Sequence, residues 1–141
     1  MFLVSNMTRK ICVTATGPSL DAPVDPRFGR CAYFLIIDVD ELRLLEAIQN
    51  PAVTAPGGAG IQSAQLVVSK GVEAVITGNV GPNAFQVLSA ARIPIYTGNF
   101  RSVREAVEAY RSGKLQPMQY SAHQWGMGFG MRRHFFYPYY Y

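Results

Sequence analysis

Three features of the chain predict an α/β fold. Between residues 72 and 113 strand-like and helix-like segments alternate twice, the order of β-α-β-α units whose strands run parallel through right-handed crossovers. Two of these strands end in the same tripeptide, Thr77-Gly78-Asn79 and Thr97-Gly98-Asn99. A further strand near the start, Lys10–Thr16 (KICVTAT), is apolar on both faces and closed by Gly17-Pro18, as a buried strand of such a sheet would be. With 141 residues, 49% of them hydrophobic and 16% charged, the chain suffices for one domain with a substantial core.

Taken in order, Met1–Arg9 is a short extension, in which Met7 reads as an alternative start. It is too short and too polar for a signal peptide, and no stretch has transmembrane length. After β-strand Lys10–Thr16 comes the loop Ser19–Arg30, then a second strand, Tyr33–Val39. Leu42, Leu44, Ala47 and Ile48 fit strand or helix by periodicity alone. The acidic turn Asp38–Glu41 favours a hairpin, and Asn50-Pro51 ends it. The Pro/Gly/Ala loop 51–60 leads into a helix, Ile61–Ser69, with Gly71 as its cap. Then follow strand Val72–Thr77, helix Pro82–Ala91 with proline in its first turn, and strand Ile93–Thr97. Ser102-Val103-Arg104-Glu105 is a capping box opening a last helix that Gly113 ends. The expected organisation is an extension (1–9), an α/β domain (10–115) and a Gly/Met/aromatic tail (116–141). The tail holds nine of the seventeen aromatics, with Gly126, Gly128 and Gly130 alternating with Met127, Phe129 and Met131, and no period organises it.

The chemistry-bearing residues gather between strands. Asp25-Pro26 starts a turn, Phe28 is an apolar anchor, and Gly29 frees the backbone ahead of Cys31. A thiol beside Arg30 would favour thiolate, suiting an anionic, thiophilic ligand; the alternative is a tight loop around a semi-buried cysteine. Cys12, mid-strand, reads as a core thiol. Two cysteines at positions 12 and 31 form neither a disulfide framework nor a CxxC zinc pattern, which points to a reducing, cytoplasmic setting. Glycines before the helix at 61 leave main-chain N–H groups open to an anion, although the Lys-Ser/Thr of a P-loop is missing. The Thr-Gly strand ends either merely terminate strands or deliver loops to a ligand at the carboxyl edge of the sheet. Net charge is +4 without a Lys/Arg block, which argues against nucleic acid.

These pieces, in this order, resemble the dinitrogenase iron-molybdenum cofactor biosynthesis family, small proteins related to NifX and the carboxy-terminal part of NifB. The matching stretches are Ile11–Thr16, Val24–Asp38 with RFGRC and YFLIID, Pro56–Gly60, and Ile76–Asn83 (ITGNVGPN). The resemblance covers residues 10–112. It implies a ribonuclease H-like motif: a mixed five-stranded sheet with helices on both faces. It also implies binding or trafficking of an iron-sulfur or iron-molybdenum-type cluster, exchanged with cluster donor or acceptor proteins, without catalysis. Carried over, Arg27, Gly29, Arg30 and Cys31 would line the site with Gly57, Gly58 and Gly60, joined by Gly78 and Asn79. Cys31 would be the metal ligand, with His123 from the tail as a second. Many relatives carry histidine before the glycines, where this chain has Val53, Thr54 and Ala55, so histidine ligation from that loop is lost. Many small stand-alone members also occur outside nitrogen fixation, so the resemblance does not require molybdenum in the cluster.

One thiolate cannot complete a Cys₄ site. The cluster would arrive pre-formed or be shared across a homodimer. A nuclease, the chemistry suggested by the ribonuclease H-like topology, needs carboxylates around two metal ions, and the first strand has none. The serious alternative is a cluster-free interaction module that docks through its aromatic tail.

Overall fold

The computed structural model describes residues 8–119. Five strands form one mixed sheet in the order β3-β2-β1-β4-β5: β1 (Lys10–Ala15), β2 (Tyr33–Asp38), β3 (Arg43–Gln49), β4 (Ala74–Thr77) and β5 (Ile95–Thr97). β4 is parallel to β1 and β5 is parallel to β4, while β1–β2 and β2–β3 are antiparallel. The hairpin expected after Asp38 therefore forms. Its tight turn is held by the Asp38 carboxylate, whose Oδ1 accepts from the N–H groups of Asp40 and Glu41. Register steps between Ile36 and Ile37, leaving Leu45 of β3 unopposed as a bulge residue.

Helices cover both faces. α1 (Ala59–Ser69) and α2 (Pro82–Ala90) lie on one, α3 (Val103–Arg111) on the other. Successive strand residues point to opposite faces. Cys12, Phe34, Ile36 and Val75 thus pack with α1 and α2, while Ile11, Val13, Leu35, Ile37 and Ile76 pack with Val103, Ala106 and Val107 of α3. α1 starts two residues before its expected start because Gly58 adopts φ +74° and caps it. β4 and β5 start later than expected, and their leading residues Val72 and Ile93 are buried outside the sheet ladder. The Ser102 cap is present: its hydroxyl accepts from Glu105 N–H at 3.1 Å. Glu105 reaches back to the N–H of Arg101 instead of the cap residue's own.

Beyond α3 the chain returns to the sheet. Pro117 bridges Tyr96, and Met118 N–H donates to the Ile95 carbonyl along the outer side of β5. Met118 also touches the core on the α1–α2 face. This contact begins inside the stretch read from composition as tail.

Candidate functional site at the carboxyl edge of the sheet

Parallel pairing brings the carboxyl ends of β1, β4 and β5 to one edge, and antiparallel pairing adds the start of β2 and the end of β3. The loops 16–32, 50–58 and 78–81 therefore emerge together. Thr14 and Thr77, both fully buried, sit at this edge. Thr14 Oγ1 lies 2.7 Å from the Asp25 carbonyl and 2.8 Å from Thr77 Oγ1.

Asp25 is the centre of the first loop. Only 1% exposed, it accepts through Oδ1 from the Arg27 N–H (3.1 Å) and Arg27 Nε (3.3 Å), and through Oδ2 from the Ala32 N–H (3.3 Å). Sequence reasoning saw a turn former here and missed the scaffold; the signal was an Asx residue before proline, whose side chain commonly bonds nearby main chain. Phe28 is fully buried against Phe34, ring centroids 5.7 Å apart, as its role of anchor requires. Arg27 remains half exposed, so the loop presents one guanidinium outward, partly balanced by the buried Asp25.

The third loop is drawn against this one. Arg27 forms a parallel bridge with Asn79, and Phe28 N–H donates to the Asn79 carbonyl. Gly78 is required by this approach: a Cβ there would lie 2.5 Å from Pro26 Cα. The second loop is joined by Asn50, also missed in the sequence. Its buried Nδ2 donates to the carbonyls of Gly29 (3.1 Å) and Cys31 (2.9 Å), and its Oδ1 accepts from Ala52 N–H (2.8 Å). Arg30 Nη1 donates to the carbonyls of Val53 (3.1 Å) and Ala55 (2.7 Å).

The glycine loop itself is open. A Cβ at Gly57 or Gly58 would meet nothing within 4 Å. α1 has no side-chain cap bond and no acid in its first turn, so its first N–H groups keep their positive potential.

The thiolate expected at Cys31 beside Arg30 is overturned by burial, and the alternative of a cysteine turned inward from a tight loop is the one found. Cys31 is fully buried in the α1–α2 core, as Cys12 is. Burial pushes both thiols up from their ordinary value; at Cys31 the neighbouring Cys12 and Asp25 add to the rise, and Arg27 offsets it only in small part. Arg30 spends hydrogen bonds on carbonyls, and Asp25 lies nearer in effect than either guanidinium. His123 lies outside the described residues. Among the described residues no group of three or more His, Cys, Asp or Glu side chains is placed to hold a metal ion, and no helix there is long and apolar enough to cross a membrane.

The fold has counterparts among known proteins. The chain is similar to the orange protein of Desulfovibrio gigas, solved in its apo form, at 40% identity and a TM-score of 0.73, covering 79% of this chain and 98% of that one. The Thermotoga protein TM1290, of the DUF35 family, is 34% identical with a TM-score of 0.68, covering 80% and 97%. The protein MJ0580 of Methanocaldococcus jannaschii is 35% identical over 98 residues, 68% of this chain and 83% of the relative. A family model described as dinitrogenase iron-molybdenum cofactor matches residues 9–113, spanning every element of the sheet and both faces. The chain thus belongs to the dinitrogenase iron-molybdenum cofactor family.

Proposed function

We propose that this domain binds a pre-formed, anionic iron-sulfur-type or iron-molybdenum-type cluster at the carboxyl edge and carries it between donor and acceptor proteins without transforming it. The observation that carries the reading is the Arg27–Asn79 bridge closed over Gly78 at this edge, together with open space where side chains would stand at Gly57 and Gly58. Gly60, in the first turn of α1, belongs to the same proposed site. Residues 26–32 and 50–62 contain no acid. A guanidinium and helix-terminal N–H groups suit negative charge delocalised over a cluster. They offer the cargo charge and main-chain donors instead of a coordination cage. Cys31 lies behind this surface. As a direct ligand it would have to turn outward, so we assign it to the inner wall of the site. The strand order 3-2-1-4-5 supports the ribonuclease H-like assignment, and that a relative was solved specifically as an apo form supports a ligand-binding reading.

The test is anaerobic reconstitution with ferrous iron, sulfide and molybdate, followed by gel filtration and analysis of iron, sulfide and molybdenum. Metal and sulfide are expected to co-elute with the protein, and Arg27→Gln is expected to lower the retained amount several-fold. Wild-type protein that elutes free of metal would leave the interaction-module reading in the lead.

A further inference from the structure

The surroundings of Arg30 deepen the cluster-site reading and rest on it: we infer that Arg30 is a positioning residue, holding the glycine loop in place through main-chain carbonyls instead of meeting the cargo with its charge. Between buried Ala52 and buried Ala59, the loop has no buried residue. Its internal bonds are slight: Val53 N–H to the Asn50 carbonyl at 3.5 Å and Ala55 N–H to the Ala52 carbonyl at 3.0 Å. Such a segment, poor in apolar contacts, opens at low cost. Arg30 closes it from outside. One nitrogen, Nη1, takes the carbonyls of both Val53 and Ala55, and a hydrogen bond from a charged donor is among the stronger kinds.

A latch also needs a fixed base, and Arg30 has one. The carbonyls on either side of it, Gly29 and Cys31, both accept from the buried Asn50 amide. Ser63 Oγ of α1 lies 3.5 Å from the Gly29 carbonyl as well. The order of dependence runs from Asn50, through the pinned backbone at 29–31, to the Arg30 guanidinium and so to the 53–55 turn that precedes Gly57 and Gly58. The α1 N-terminus and Arg27 are thereby held as parts of one surface. Without Arg30 the fold would persist, and the glycine loop would sample positions unsuited to the cargo.

The test uses Arg30→Met, which keeps an apolar stem and removes the donors, and Arg30→Gln, whose amide is too short to span both carbonyls. Two readouts are taken on the full chain. One is amide hydrogen exchange at Ala52 and Ala55 in the apo-protein. The other is retention of metal after reconstitution with ferrous iron and sulfide, at low and at high salt. Exchange at Ala55 is expected to quicken by about tenfold in both variants, retention to fall, and the salt dependence of what remains to match wild type. Unchanged exchange overturns the proposal whatever happens to retention. Faster exchange with full retention overturns it too, since loop order would then not matter to the site. A flattened salt dependence would make Arg30 a charge contact with the cargo and likewise overturn it. If wild-type protein retains no metal, the cluster reading fails, while the exchange result still decides whether Arg30 holds the loop.

Discussion

At the amino edge of the sheet an ion-pair cluster around Arg9 links separate elements, beside the main-chain bonds of Asp38 and Arg111; at the carboxyl edge, beside the Asp25–Arg27 pair, polar side chains bond the main chain of the loops. At the amino edge Arg9 donates through Nε and Nη2 to Glu73 Oε2 and through Nη1 to Asp40. Tyr110 donates to the same Glu73 oxygen at 2.6 Å, and Arg9 lies 6.0 Å from the Tyr110 ring centroid. The charges are mutually consumed, tying the starts of β1 and β4 to the end of α3. At the carboxyl edge Asp25, Asn50 and Arg30 instead hold carbonyls and N–H groups of the loops. The Arg9 cluster pairs charged side chains of different elements at the amino edge, while at the carboxyl edge three side chains hold the main chain of the loops together. A surface built of shaped backbone can offer N–H groups to a ligand; a cluster of mutually paired side chains cannot.

The sharpest way to break this contrast is Asn50→Ala. It strands the Cys31 carbonyl and the Ala52 N–H and leaves the Gly29 carbonyl only the long contact from Ser63 Oγ, buried groups at about 1–3 kcal/mol each if water does not reach them. A loss of about 3 kcal/mol or more in urea unfolding is expected. A loss below about 1 kcal/mol would mean the amide is not the pin between the loops.

Cys31→Ser comes next. Burying a hydroxyl at this site should cost about 1–3 kcal/mol if it stays unpaired, with cluster retention kept. Metal loss at unchanged stability would instead restore Cys31 as a ligand. Both thiols should resist alkylation at pH 8 in the folded state and react once urea unfolds the chain. Their folded pKa values lie above the ordinary 9.0. The stability this represents is complete below that value and is lost as pH rises through and beyond it, by up to about 1.4 kcal/mol per pH unit for each thiol.

The smallest effect is expected at the amino edge. Glu73 is more than a third exposed, and Glu73→Gln should cost no more than about 1 kcal/mol. Tyr110 is pushed up to about 12, first by burial and then by its bond to Glu73. An ultraviolet titration of the variant should show that phenol moving part of the way back toward 10.0; no movement would remove Glu73 from the cause.

The fold was legible because its signals are local and repeated. Buried runs, Thr-Gly strand ends and Pro82 mark strands and a helix start wherever they occur. The converging loops were legible only as fragments. RFGRC and PGGAG looked like ligand loops, yet what draws them together is Asn50, which reads as a mere strand terminator, and the Arg30 side chain reaching residues 53 and 55. Cys31 was misplaced because sequence adjacency to Arg30 says nothing about which way either side chain turns. In the folded chain the guanidinium reaches outward to residues 53–55 and the sulfur inward toward Cys12. The repeated TGN hid two different constraints: Gly78 clears the Pro26 backbone, whereas a Cβ at Gly98 would meet the Phe100 ring at 2.6 Å.

The strip of chain at Pro117–Met118 bears on how copies of this molecule meet. A sheet's free edge is a template for joining another sheet, and here each edge is blunted differently. Beside β5, the molecule's own chain occupies the bonding positions at Tyr96 and Ile95, and Pro117 has no N–H to offer a newcomer. At β3, the unopposed Leu45 breaks the ladder between Arg43 and Glu46, whose charges oppose a neutral strand docking there. Removing residues from 117 onward would uncover β5. Self-association at high concentration is then expected, together with loss of the Met118 contact on the α1–α2 core.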